Sequence, residues 1–138
     1  MALFVCIRSH NYVALSNHHI MKKYISVISI PVTDQQRSKE FYEKVGFKLL
    51  IEAPMGNGET WVQLELENTQ TSIALVTWFK QMPPGTVCGW VIETDDIQRE
   101  LDALKVQGIE TSDIDQTAWG KFAWVKDPDG NSFNFREE

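Results

Sequence analysis

Apolar and polar positions alternate in two related patterns along this chain. Tyr24-Ile25-Ser26-Val27-Ile28-Ser29-Ile30-Pro31-Val32 is β-branched and apolar, and it reads as a strand with Pro31 near its end, where a missing N–H is tolerated. Asp34 then caps a helix running to about Val45, with Phe41, Tyr42 and Val45 following Ser38 at i+3, i+4 and i+7. Gly46 supplies the left-handed stop. Strands are expected over residues 47–51, 60–66 and 72–79, separated by Gly56-Asn57-Gly58 and a polar turn at Asn68. The module reads β-α-β-β-β.

Lys80-Gln81-Met82-Pro83-Pro84-Gly85 extends neither neighbouring strand and reads as a linker over residues 80–86. The same order then returns. Residues 87–93 form a strand, Asp95 or Asp96 caps a helix with Ile97, Leu101 and Leu104 on one face, and Gly108 ends it. Strands follow at residues 109–113, 121–125 and 131–135. Between the last two, Asp127-Pro128-Asp129-Gly130 is a strong turn: Pro128 fixes φ, the aspartates bond nearby backbone, and Gly130 accepts a positive φ. Thr33-Asp34 and Thr94-Asp95 open the two helices at corresponding points, so a unit of about sixty residues is duplicated. The expected fold class is α+β: two tandem βαβββ modules, residues 22–79 and 87–137, forming cupped mixed sheets with helices outside. Their concave faces must be covered or form a cavity.

Composition narrows the function. The chain has 138 residues, 43% hydrophobic and 23% charged, enough for one real core. Net charge is −6 and no Lys/Arg run occurs, which argues against nucleic acid or an anionic membrane as partner. Cys6 and Cys88 lack disulfide-framework or zinc spacing, and a reducing cytoplasm fits them best. No apolar run approaches the roughly 18 to 20 residues that span a bilayer. Residues 1–21 stand apart from the pattern and are expected to be an N-terminal extension, with Met21 as the natural start. His10, His18 and His19 all lie there, and a draped or poorly ordered tail explains them more simply than a metal site. No Ser-His-Asp or Cys-His arrangement and no phosphate-binding glycine loop is present.

Val32-Thr33-Asp34-Gln35-Gln36-Arg37-Ser38-Lys39-Glu40-Phe41-Tyr42-Glu43-Lys44-Val45-Gly46-Phe47 resembles the opening of the glyoxalase/bleomycin-resistance/extradiol-dioxygenase superfamily, the vicinal oxygen chelate fold. Asp127-Pro128-Asp129-Gly130-Asn131 resembles its closing hairpin, and the likeness covers about residues 22–137. Enzymes of that family commonly hold a divalent metal with four side chains, one from each of four strands. The resemblance places those positions on Val27, Gln63, Gly89 and Asn134. Two of these carry no side-chain donor and two are neutral amides, so the usual metal site is expected to be absent and no cofactor is expected. Shifts of one residue, to Ser26 or Ile28, Cys88 or Trp90, and Phe133 or Phe135, restore no His-Glu set.

Shifts of two residues keep the inward face and bring in Glu65 and Glu93, a pair able to hold a hard cation or to act as acid and base. The simpler reading is two solvated rim carboxylates. By strand alternation Trp61, Gln63 and Glu65 share one face, as do Ser132, Asn134 and Arg136, with Trp124 pointing inward. Indole walls with the amides of Gln63 and Asn134 suit a neutral, partly planar ligand, and Arg136 can pair with Glu93 or with an anionic ligand group. The competing reading of the aromatics is core and dimer interface. The expected ligand-binding set is Trp61, Gln63, Glu65, Glu93, Trp124, Asn134 and Arg136.

The leading expectation is a protein that binds a small organic molecule in its sheet cavity without the usual metal. The resemblance implies the antibiotic-sequestering branch, whose members are homodimers with ligands in clefts shared between subunits. Two alternatives stand beside it: a metal-dependent lyase, isomerase or dioxygenase with unconventional ligands such as Glu65, Glu93 and a histidine of the extension, and a non-catalytic interaction module.

Overall fold

The computed structural model describes residues 21–138, so the extension and its three histidines lie outside the described residues. Ten elements follow in order: β1 (Val27–Pro31), α1 (Gln35–Val45), β2 (Lys48–Gly56), β3 (Glu59–Glu65), β4 (Ser72–Val76), β5 (Trp90–Glu93), α2 (Ile97–Lys105), β6 (Asp115–Thr117), β7 (Gly120–Lys126) and β8 (Ser132–Glu137). They form two four-stranded mixed sheets, ordered β1-β4-β3-β2 and β5-β8-β7-β6. β1 runs parallel to β4 and β5 parallel to β8, while the other pairs are antiparallel. This is the duplicated βαβββ arrangement. β1 lies at a sheet edge, which is why Pro31 is tolerated within it.

Local chemistry explains the boundaries. Asp34 accepts from the backbone N–H of Gln36 and of Arg37, both at 3.1 Å, and opens α1. Gly46, at φ 124°, closes it by donating its N–H to the carbonyls of Tyr42 and Glu43. In the second module Asp96 rather than Asp95 is the cap, accepting from Arg99 N–H at 3.0 Å. Buried positions recur at helical spacing: Ser38, Phe41, Tyr42 and Val45 on α1, and Ile97, Leu101 and Leu104 on α2.

Three expected strands change. Residues 109–113 contribute only an isolated bridge from Thr111 to Val125. There Ser112 Oγ accepts the Trp124 N–H at 2.9 Å, so a side chain replaces a ladder carbonyl and the paired strand forms later, at β6. Residues 87–89 stay outside β5 because Gly89 sits at φ 89°, which an extended strand does not use. β4 stops at Val76, short of Trp78 and Phe79.

Both modules contribute to one core. Ile30, Phe41, Tyr42, Phe47, Val62 and Leu64 from the first pack in the same cluster as Leu101, Val125, Phe133 and Phe135 from the second. Trp90 bridges them, with its ring centroid 4.8 Å from Phe133 and 6.3 Å from Phe47. Each such fully buried side chain contributes about 1.5–3 kcal/mol. Between the modules the helices α1 and α2 pack on each other, and side chains from both sheets meet in the one core. Each sheet therefore turns one face to the shared core and leaves its opposite face to be completed separately.

Candidate functional site

The expected site residues fall on these opposite faces, in two groups. On the first sheet, Val62 and Leu64 enter the core, so Trp61, Gln63 and Glu65 point the other way. Gln63 lies between its cross-strand partners Ile51 on β2 and Ala74 on β4. The indole Nε1 of Trp61 donates to Gln63 Oε1 at 2.8 Å, Gln63 Nε2 donates to Ser72 Oγ at 2.6 Å, and Ser72 Oγ donates to the Ser26 carbonyl at 3.0 Å. Gln63 and Ser72 are buried, and their mutual bonds offset the cost of taking an amide and a hydroxyl out of water. Beside this chain the Trp61 ring lies 6.1 Å from Trp78, which lies 6.0 Å from Phe79. Three aromatic side chains thus cluster beside the amide, their ring planes inclined at 35° between Trp61 and Trp78 and at 61° between Trp78 and Phe79. Glu65, half-buried, is paired in register with Lys48 and with Ser72.

The second group lies on the other sheet. Phe133 and Phe135 enter the core, which turns Asn134 and Arg136 to the opposite face with Val91 and Glu93 of β5. Trp124 is the β7 partner of Asn134, and Phe122 the partner of Arg136. Arg136 Nη1 donates to Glu93 Oε1 at 2.9 Å and its Nε to the Trp119 carbonyl at 2.7 Å, so the anticipated ion pair forms. Hydrogen bonding to Glu93 holds the guanidinium above its ordinary pKa. Lys126 Nζ stands 5.0 Å over the Trp124 ring, leaving the other ring face uncovered by that cation. Asn134, half-buried, makes no side-chain hydrogen bond among the described residues.

One chain therefore brings Trp61, Gln63 and Glu65 together and, separately, Glu93, Trp124, Asn134 and Arg136. Glu65 and Glu93 stand on different sheets, with Glu93 engaged by Arg136. Among the described residues no three His, Cys, Asp or Glu side chains converge where a metal would need them. An apolar cleft of about 520 Å³ lies where the modules meet, walled by Ile25, Ile28, Phe47, Ile73, Trp90 and Ile92. Of the seven residues only Glu93 borders it. No helix among the described residues is long and apolar enough to cross a membrane.

Sequence reading missed Ser72, Trp78, Phe122 and Lys126. The period-two signal was present for Trp78, since Ser72, Ala74, Val76 and Trp78 continue one alternation past the end of β4.

Comparison with known proteins agrees with this geometry. The solved structures that the chain resembles include TnmS3, an antibiotic binding protein from Streptomyces sp. CB03234, with 37% identity, 86% of this chain and 98% of that one covered, and a TM-score of 0.80. A member of the glyoxalase/bleomycin resistance protein/dioxygenase superfamily from Sphaerobacter thermophilus DSM 20745 is 28% identical over 86% of this chain and all of its own, with a TM-score of 0.78. YetH of Bacillus subtilis (strain 168), an uncharacterized protein, is 34% identical over 122 residues, which are 85% of this chain and 100% of YetH. The model of the Glyoxalase/Bleomycin resistance protein/Dioxygenase superfamily matches residues 18–135, and the chain belongs to that superfamily.

Proposed function

We propose that this protein binds an organic molecule through a flat ring system of the ligand on the sheet faces opposite the core, and that sequestration rather than turnover is the outcome. The observation that carries this proposal is the cluster of Trp61, Trp78 and Phe79 beside the hydrogen-bonded amide of Gln63. Indole faces gain from stacking on planar ligands, and a few fixed polar groups orient them. The likeness to an antibiotic binding protein supports an antibiotic as the ligand class.

The cup is proposed to be completed by a second copy of the chain in a homodimer. Within one chain the two groups stand on different sheets, Trp61 and Gln63 on β3 and Trp124 and Asn134 on β7 and β8. Apolar side chains also stand open: Leu50 on β2 is 47% exposed, Ile51 beside it 44%, and Val91 on β5 45%. The exposed free thiol of Cys88 suits a reducing compartment, and a cytoplasmic location is part of the proposal.

The test is titration of the intrinsic tryptophan fluorescence with bleomycin, an anthracycline and coumarin. The reading expects saturable quenching by at least one, an affinity loss of about tenfold or more in Trp61→Ala, and recovery of the ligand chemically unchanged. Absence of saturable binding by all three, or equal binding by Trp61→Ala, contradicts it.

A further inference from the structure

The hydrogen-bond chain on the first sheet has a direction that its chemistry dictates. An indole N–H can only donate, so the Gln63 atom 2.8 Å from Trp61 Nε1 is the amide oxygen. The amide nitrogen then faces Ser72 at 2.6 Å. The Ser72 hydroxyl gives its one proton to the Ser26 carbonyl at 3.0 Å and is left to accept from Gln63. The order Trp61 N–H, Gln63 C=O, Gln63 N–H, Ser72 O–H, Ser26 C=O allows no reversal, because flipping the amide sets a donor against the indole N–H. Carboxamides usually leave their polarity open to the surroundings. Here both ends are held.

We propose that Ser72 is a positioning residue for ligand selection: by holding Gln63 Nε2 it fixes the amide's second N–H as a donor beside the Trp61 and Trp78 rings, and so selects flat ligands that place a carbonyl oxygen there. The inference rests on the proposed binding of a flat molecule at this face and adds the ligand's hydrogen-bonding character. Ser72 is buried on β4 and acts only through Gln63. A buried donor left without an acceptor is penalised, so a hydrocarbon of the same outline binds less well. The site discriminates by what it leaves unpaired.

Two measurements on the full chain test this. The first needs no ligand: the side-chain amide resonances of Gln63, assigned by comparison with Gln63→Leu. In the unaltered protein the two protons are expected at well-separated shifts with slow solvent exchange, Ser72→Thr keeps that pattern, and Ser72→Ala moves both protons toward the values of a free amide. Free-amide shifts and fast exchange in the unaltered protein overturn the proposal. The second compares coumarin with naphthalene, two fused two-ring probes that differ in the carbonyl. Coumarin is expected to bind roughly three- to tenfold more tightly, the worth of one neutral hydrogen bond. Ser72→Ala is expected to bring the ratio close to one, and Ser72→Thr to restore it. A ratio unchanged by Ser72→Ala, or equal binding of both probes by the unaltered protein, overturns the role of Ser72 while leaving flat-ligand binding intact. Failure of both probes to bind, together with failure of bleomycin and the anthracycline, instead removes the binding reading on which this role depends.

Discussion

The phenol of Tyr42 donates to Asp127 Oδ2 across 3.0 Å, tying the first module's helix to the second module's hairpin. Asp127 also accepts from Asn131 Nδ2 and from the backbone N–H groups of Asp129 and Asn131, each at 2.9 Å. Asn131 extends the joint by donating to the Pro31 carbonyl at 2.8 Å and accepting from Gly85 and Val87 N–H. This buried network joins β1, α1, the linker and the closing hairpin. Burial above all, and then the neighbouring Asp127 charge, push the Tyr42 phenol well above its ordinary pKa, so it remains a donor at neutral pH. Tyr42→Phe keeps the ring in the core and removes one bond to a buried carboxylate. Its expected cost is about 1–3 kcal/mol in denaturant unfolding. Asn131→Ala, which breaks several of these bonds at once, is expected to cost more.

Acid sensitivity follows from Glu137. Its carboxylate accepts from Ile97 N–H at 2.8 Å, at the start of α2, and from Lys121 Nζ at 3.1 Å. These interactions, the backbone bond first, hold its pKa below the ordinary 4.5. A depressed folded pKa gives stability that is present above 4.5 and lost as pH falls through the lowered value. Asp127 runs the other way: burial raises it above 3.8 against the hydrogen bonds it accepts, so its contribution is present below 3.8 and lost as pH rises through the raised value. Glu137→Gln is therefore expected to unfold with a shallower pH dependence below 4.5 than the unaltered protein, read from denaturation midpoints across that range.

Gly85 is the linker position where a side chain cannot fit. Its φ is +87°, and an added Cβ runs into the backbone carbonyl oxygen of Asp129. Gly58, at φ +77° in the β2–β3 turn, has open space in the same direction. Gly58→Ala is expected to lose about 1 kcal/mol from the left-handed backbone alone. Gly85→Ala carries the same strain plus the overlap, and the prediction is a melting temperature clearly below that of Gly58→Ala.

Both helices, their caps and the duplicated order were legible because each is written locally. Asp34, Gly46 and the apolar positions between them specify α1 without help from distant residues. Alternation along each strand was legible, and the structure puts Trp61, Gln63 and Glu65 on one face of β3 and Asn134 and Arg136 on one face of β8. What could not be read were contacts set by register and by chain ends. The partnership of Gln63 with Ser72 depends on how β3 slides against β4, and Trp78 joins the aromatic cluster from beyond its strand. Residues 109–113 failed as a strand because Ser112 competes for the ladder with its hydroxyl, a choice that apolar patterning does not register.

The flat-ligand site is proposed to be built from the first module of one copy and the second module of another. It is tested most directly by mixing two variants, Trp61→Ala with Gln63→Ala in one chain and Trp124→Ala with Asn134→Ala in the other, and counting binding sites for whichever of the three probes saturates the unaltered protein. Each variant alone is expected not to bind. A statistical mixture makes half of its dimers mixed, each with one intact site of two, so about one quarter of the original sites should return. No recovery on mixing, with both variants folded and dimeric, would contradict the shared site.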